Sequence, residues 1–110
     1  MSSASYEVLV TSGAERDLAS LYDYIAESDS PSKADLVLDQ LLLGIRSLEQ
    51  HPERGTYPRE LVDLGIHDYR QVFYKPYRIV YRMQDKQVLV YLVADGRRNM
   101  QTLLAGRLLG

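Results

Sequence analysis

Cysteine is absent from this sequence, and so is tryptophan. The missing thiols exclude a disulfide framework, a thiolate zinc site, an iron-sulfur cluster and a cysteine nucleophile together, so stability has to come from packing. Glycine and proline are scarce, at 7 and 4 in 110 residues, too few for a collagen-like or disordered chain. Long hydrophobic runs are missing too. The longest wholly apolar stretch, Val88 to Ala94, is far too short to span a bilayer. The opening Met1-Ser2-Ser3-Ala4-Ser5 has neither the basic start nor the apolar run of a signal peptide, so the expectation is a cytoplasmic protein with no membrane partner. No metal-ligand cluster, P-loop or GxGxxG occurs, and neither a metal nor a cofactor is expected.

What is present fits one compact unit. Hydrophobic residues at 45% and charged residues at 25% are those of an ordinary globular protein. A chain of this length makes one domain, 1–110, that buries about 65% of its unfolded surface. The net charge of −2 conceals an asymmetry: residues 1–67 carry five basic side chains against twelve acidic ones, a net of −7, whereas residues 68–110 carry eight against three, a net of +5. Such polarity predicts a basic face that meets an anionic partner, either nucleic acid or an acidic protein segment.

Tyr6 to Thr11 reads as a strand, with Tyr6, Val8 and Val10 on one side of a period of two. Ser12-Gly13-Ala14-Glu15 has the S-x-x-E form of a capping box and predicts a helix running to about Glu27, with Ala14, Leu18, Leu21, Tyr22 and Ile25 on its apolar face. Ser30-Pro31 predicts the start of a second helix, packed antiparallel to the first, whose apolar face is Ala34, Val37, Leu38, Leu41, Leu42, Ile45 and Leu48. It ends before His51-Pro52, and Gln50 to His67 reads as a linker. Leu36 and Leu43 fall off the main stripe, either as peripheral core or as a docking groove for a partner. Residues 69–94 predict a three-stranded antiparallel meander with turns at Lys75-Pro76 and Gln84-Asp85-Lys86, its last strand central because it is apolar on both faces. Arg98 to Leu109 predicts a terminal helix on Met100, Leu103, Leu104 and Leu108. The expected fold class is α+β, a four-stranded sheet with the helical hairpin on one face and functional residues on the other.

The alternation of the strand Tyr77 to Met83 sends Arg78 and Arg82 to one side of the sheet, against Tyr77, Ile79, Tyr81 and Met83. With Arg70 one strand over, and Arg97 and Arg98 at the end of the last strand, several guanidiniums are expected to converge as an anion-binding face. Pairing of each with Asp68, Asp85 or Asp95 is the structural alternative. Tyr69, Tyr74, Tyr77 and Tyr81 interleave with arginine in a manner compatible with base stacking, although tyrosine in a small amphipathic sheet is more often core. Cleaving RNA needs a base, a cation for the phosphorane and an acid for the leaving oxygen. The arginines provide the cation, and of the two histidines only His67 adjoins the basic strands.

The words Tyr77-Arg78-Ile79-Val80-Tyr81-Arg82 and Val93-Ala94-Asp95-Gly96-Arg97-Arg98-Asn99-Met100, with His51-Pro52-Glu53-Arg54-Gly55 and the opening strand and helix start, resemble the RelE/ParE superfamily of bacterial type II toxin-antitoxin toxins. The resemblance covers nearly the whole chain. It implies a small toxin neutralised by an antitoxin whose acidic or amphipathic C-terminal segment wraps across the hairpin and sheet, for which Leu36 and Leu43 are the candidate contacts. RelE-like members cut messenger RNA in the ribosome; ParE-like members poison DNA gyrase and are not nucleases. Arg78 and Arg98 match positions of catalytic arginines in the RelE-like nucleases. The nuclease lysines of the preceding strand, however, fall on Tyr69 and Gln71, and the C-terminal tyrosine or His-Tyr pair falls near Leu103-Leu104. The long, leucine-rich terminal helix also resembles the ParE branch. The expected partners are therefore an antitoxin and gyrase, with a ribosome-dependent ribonuclease using Arg78, Arg98 and His67 as the alternative and a non-toxic interaction module as the third.

Overall fold

The computed structural model describes residues 5–109. Strand β1, Glu7–Val10, keeps Val8 and Val10 against the core and its other side chains outward. Helix α1, Ser12–Ser28, begins one residue earlier than the S-x-x-E signature predicts, because its cap is Thr11 rather than Ser12. The Thr11 hydroxyl accepts from the Ala14 amide at 3.2 Å and donates to the Val90 carbonyl at 2.9 Å. One side chain thus ends the strand and opens the helix. Helix α2, Pro31–Arg46, starts as expected, with Ser30 Oγ accepting from the Lys33 amide at 3.1 Å and Pro31 at the first turn.

Val37, Leu41, Ile45 and Leu48 are buried, but Leu42, expected among them, is 41% exposed. One residue beyond Leu41 is a rotation of about 100° around the helix, enough to leave the stripe. The expected linker contains structure: single 3-10 turns at Ser47–Glu49 and Pro52–Arg54 and a short helix α3, Arg59–Val62. Elements of three or four residues are too short to show a helical period.

Strands β2, Arg70–Tyr74, β3, Tyr77–Gln84, and β4, Gln87–Asp95, form the meander, in the sheet order β1-β4-β3-β2. β1 runs parallel to β4 and the other pairs are antiparallel. Asp85 supplies the left-handed residue of the β3-β4 turn, with φ 57°. Val80 faces Leu92 while Tyr81 faces Val90, so Tyr91 is an extra residue in β4. This bulge reverses the alternation: Val88 and Val90 join the core beneath the hairpin, and Leu92 and Ala94 join a second core on the opposite side.

That second core combines Leu61 of α3, Val80, Leu92 and Ala94 of the sheet, and Met100 and Leu104 of helix α4, Met100–Leu104. Asn99 caps α4 by accepting from the Thr102 amide. The terminal helix is not regular to its end. Residues Ala105–Leu109 widen into a π-helical turn, where Gly106 weakens the helix and Arg107 reaches back to the Tyr91 carbonyl at 2.7 Å.

Tyr81 fixes the 52–55 segment. Its fully buried hydroxyl donates to the Pro52 carbonyl and accepts from the Gly55 amide at 3.1 Å. Gly55 has to lack a side chain, since a Cβ there would lie 2.5 Å from that hydroxyl and 2.8 Å from the Gln71 carbonyl.

Candidate functional site: the arginines and the cavity at the sheet end

The sheet alternation places Arg78 and Arg82 with Val80 on the side away from the hairpin, as the sequence predicts. Neither lies open. Arg78 Nη1 donates to Glu60 Oε1 at 3.0 Å and to Gln71 Oε1 at 3.2 Å, and its stem passes Gly96, where a Cβ would sit 3.0 Å from Nε. Burial opposes the charge of Glu60. The hydrogen bond from Arg78, a backbone hydrogen bond, and the charges of Arg78 and Arg59 together outweigh it and hold the carboxyl below the usual glutamate range. Arg82 lies 3.8 Å from Asp68 and over the Tyr69 ring, a looser and more exposed pairing.

Arg70 does not join them. It alternates with Gln71, and so lies on the opposite side of β2 from Gln71, whose amide oxygen meets Arg78. Its guanidinium donates to the Glu53 and Gly55 carbonyls and to the Tyr57 hydroxyl, and it stacks 4.8 Å from the Tyr57 ring centre. The His67 ring lies nearly perpendicular to that ring, with 5.7 Å between the two ring centres. The expected convergence of arginines therefore resolves into separate groups, with His67 placed beside Tyr57 and Arg70.

At the end of β4, Arg97 forms a fork on Asp95, with Nε 3.0 Å from Oδ1 and Nη2 2.6 Å from Oδ2, and its backbone amide adds a third donor. These bonds hold the Asp95 carboxyl below the usual aspartate range. Arg98 is exposed and, among the described residues, makes no ion pair. It borders a cavity of about 490 Å³ between α1 and the sheet end, lined also by Ser20, Leu21, Tyr24, Tyr77 and Val93. Asp17 stands at its edge. Its carboxylate accepts from the Val93 amide at 3.0 Å and from both Nη atoms of Arg107 at 2.9 Å. Sequence reasoning gave neither residue a role, because nothing local links positions 90 residues apart.

Tyr81 is buried and Tyr74 and Tyr77 pack partly against the hairpin core, so the interleaved tyrosines are mainly structural. Leu36 and Leu43, by contrast, are 50% and 55% exposed two turns apart on α2. Among the described residues no group of three or more His, Asp or Glu side chains is placed to hold a metal ion, and no helix is long and apolar enough to cross a membrane.

The sheet order, the hairpin and the short terminal helix define a known class of small fold. The chain is similar to a structure titled "Chromosomal ParDE TA system" from P. aeruginosa, at 20% identity and a TM-score of 0.71, covering 84% of this chain and 98% of that one. It is similar to the toxin-antitoxin complex RelBE2 from Mycobacterium tuberculosis, at 23% identity and a TM-score of 0.60, covering 83% and 98%. A double mutant of the E. coli toxin RelE in the free state superposes at 18% identity and a TM-score of 0.62, covering 90% and 92%. No curated protein matches. The family described as ParE toxin of type II toxin-antitoxin systems, parDE, matches residues 8–100, and the chain belongs to it.

Proposed function

We propose that this toxin arrests growth by inhibiting DNA gyrase and is held inactive by a cognate antitoxin. The observation that carries the choice of target is the environment of Arg78. Where the RelE-like nucleases place a lysine, Gln71 offers a buried amide oxygen to Arg78, and Glu60 neutralises the same guanidinium. A phosphorane needs a cation free to meet it, with an acid and a base in reach. Here Arg78 is engaged through Nη1 by Glu60 and Gln71, His67 is packed on Tyr57, and Arg98, unpaired among the described residues, borders a different group of side chains from His67. That arrangement supports a binding protein over a nuclease.

The antitoxin contact assigned to Leu36 and Leu43 rests on their exposure. Two leucines one heptad apart on an exposed helix face suit the apolar stripe of an amphipathic partner segment. The direct test is to induce the chain in bacteria without its antitoxin and to pulse-label DNA and protein synthesis over the first minutes. DNA synthesis falling first is the expected result. Protein synthesis falling first would overturn the gyrase reading in favour of a ribosome-dependent ribonuclease, and no effect on either would leave a non-toxic interaction module.

A further inference from the structure

We propose that the cavity between α1 and the sheet end is the receptor for an aromatic residue bearing an adjacent carboxylate, presented by the antitoxin segment. The inference rests on the toxin-antitoxin reading and names what one part of that partner must contain. Its first support is the volume. About 490 Å³ lies within the range of sites that enclose small ligands and is ample for an indole or phenol ring with a carboxylate.

The second support is the lining. Leu21 and Val93 give apolar surface, and Tyr24 and Tyr77 give two phenol rings for edge or offset stacking. Burial, and next the charge of Asp95, push the Tyr77 phenol above its usual range, so at neutral pH it keeps its proton and can donate a hydrogen bond. Tyr24 is 69% exposed although it borders a cavity, and among the described residues its ring makes no aromatic pair and its hydroxyl no hydrogen bond.

The third is charge. Both carboxylates at the cavity are already matched, Asp17 by Arg107 and Asp95 by Arg97. Among the described residues Arg98 alone remains, a single unpaired guanidinium at the rim, and a guanidinium fork suits one carboxylate. A nucleotide fits less well, because its phosphate brings up to two negative charges to a lining that already holds two carboxylates and offers one free cation.

The absence of tryptophan makes the test direct, since any indole emission comes from the probe. Purified toxin is titrated with N-acetyl-tryptophan, with its neutral amide and with adenosine 5′-monophosphate. The expected result is a blue-shifted indole signal, with the acid binding about tenfold tighter than the amide. Arg98→Ala should remove that preference, and Tyr24→Ala should weaken both indole probes. These side chains are exposed, and both variants should retain the wild-type thermal transition. No binding, equal binding of acid and amide, or tighter binding of the nucleotide would overturn the proposal. Adding antitoxin should then displace the bound probe. If probe and antitoxin bind together, the assignment of the occupant fails, while the toxin reading stands or falls separately on the pulse-labelling result.

Discussion

On the hairpin side of the sheet, two helices of 17 and 16 residues lie across the strands; on the other side, α3 and α4 have 4 and 5. The long helices, capped by Thr11 and Ser30, can lay apolar stripes of several turns against one continuous core. The short ones cannot. Isolated helices of that length are not stable in water, so α3 and α4 are held by the contacts they make: Leu61 and Leu104 in the second core, and Glu60 on Arg78. The difference teaches where polar side chains matter structurally. They do most where helical covering is least.

The largest expected effect comes from removing matched leucines on the two sides. Leu41 and Leu104 are both essentially fully buried. Leu41→Ala should cost about 3–5 kcal/mol, because long helices on both sides of the gap resist closing it. Leu104→Ala should cost nearer 2 kcal/mol, because a short helix ahead of a π-helical turn can settle inward. Urea unfolding of the two variants measures both, and equal losses would break the comparison.

Tyr81→Phe comes next. It keeps the packing but strips the hydrogen-bond partner from the buried Gly55 amide and from the Pro52 carbonyl, at a cost of about 1–3 kcal/mol. The same unfolding experiment checks it. Hydrogen exchange at Gly55 should accelerate more than exchange within α1, because the hydroxyl ties down the segment that leads into α3.

These variants also mark what was legible in the sequence. The hairpin, the meander and the Ser30-Pro31 start were readable because each spans enough residues for a period, or a capping signal, to stand out. Thr11 displaced Ser12 as a cap because its hydroxyl also reaches Val90, a contact across the fold. The bulge at Tyr91, the helix hidden in the 50–67 stretch and the Asp17–Arg107 pair left no local pattern. At the candidate site, alternation correctly put Arg78 and Arg82 on one side. Their charge partners, and the placement of Arg70 on the other, depended on which loops return to the sheet. The cavity beside Arg98 lies between residues from α1 and from the far end of the chain, so no stretch of sequence contains it.

Glu60→Gln should have a smaller effect, about 1 kcal/mol near neutral pH, since the amide retains an acceptor for Arg78 while losing the charge. The pH dependence sharpens it. Because the folded state holds Glu60 below the usual glutamate range, its stabilisation is fully present above that range and is lost as the pH falls through the lowered value. Stability of the wild type and of the variant should therefore converge in acid. A constant gap between their urea midpoints down to strongly acidic pH would show that the pair contributes through shape alone.

Leu36→Asp and Leu43→Asp should change stability least, within about 0.5 kcal/mol, because both side chains already face solvent. Their effect should appear in binding instead. A carboxylate buried against an apolar partner stripe is left without a counter-charge, so calorimetric titration with the antitoxin should show at least about tenfold weaker association. Against Leu41→Ala the contrast is direct: the buried leucine of α2 supports the fold and the exposed pair supports the complex. An antitoxin that binds both aspartate variants as tightly as the wild type would exclude this face from the contact. The cavity beside Arg98 would then remain as a separate anchor, because its lining comes from α1 and the sheet end and includes neither leucine.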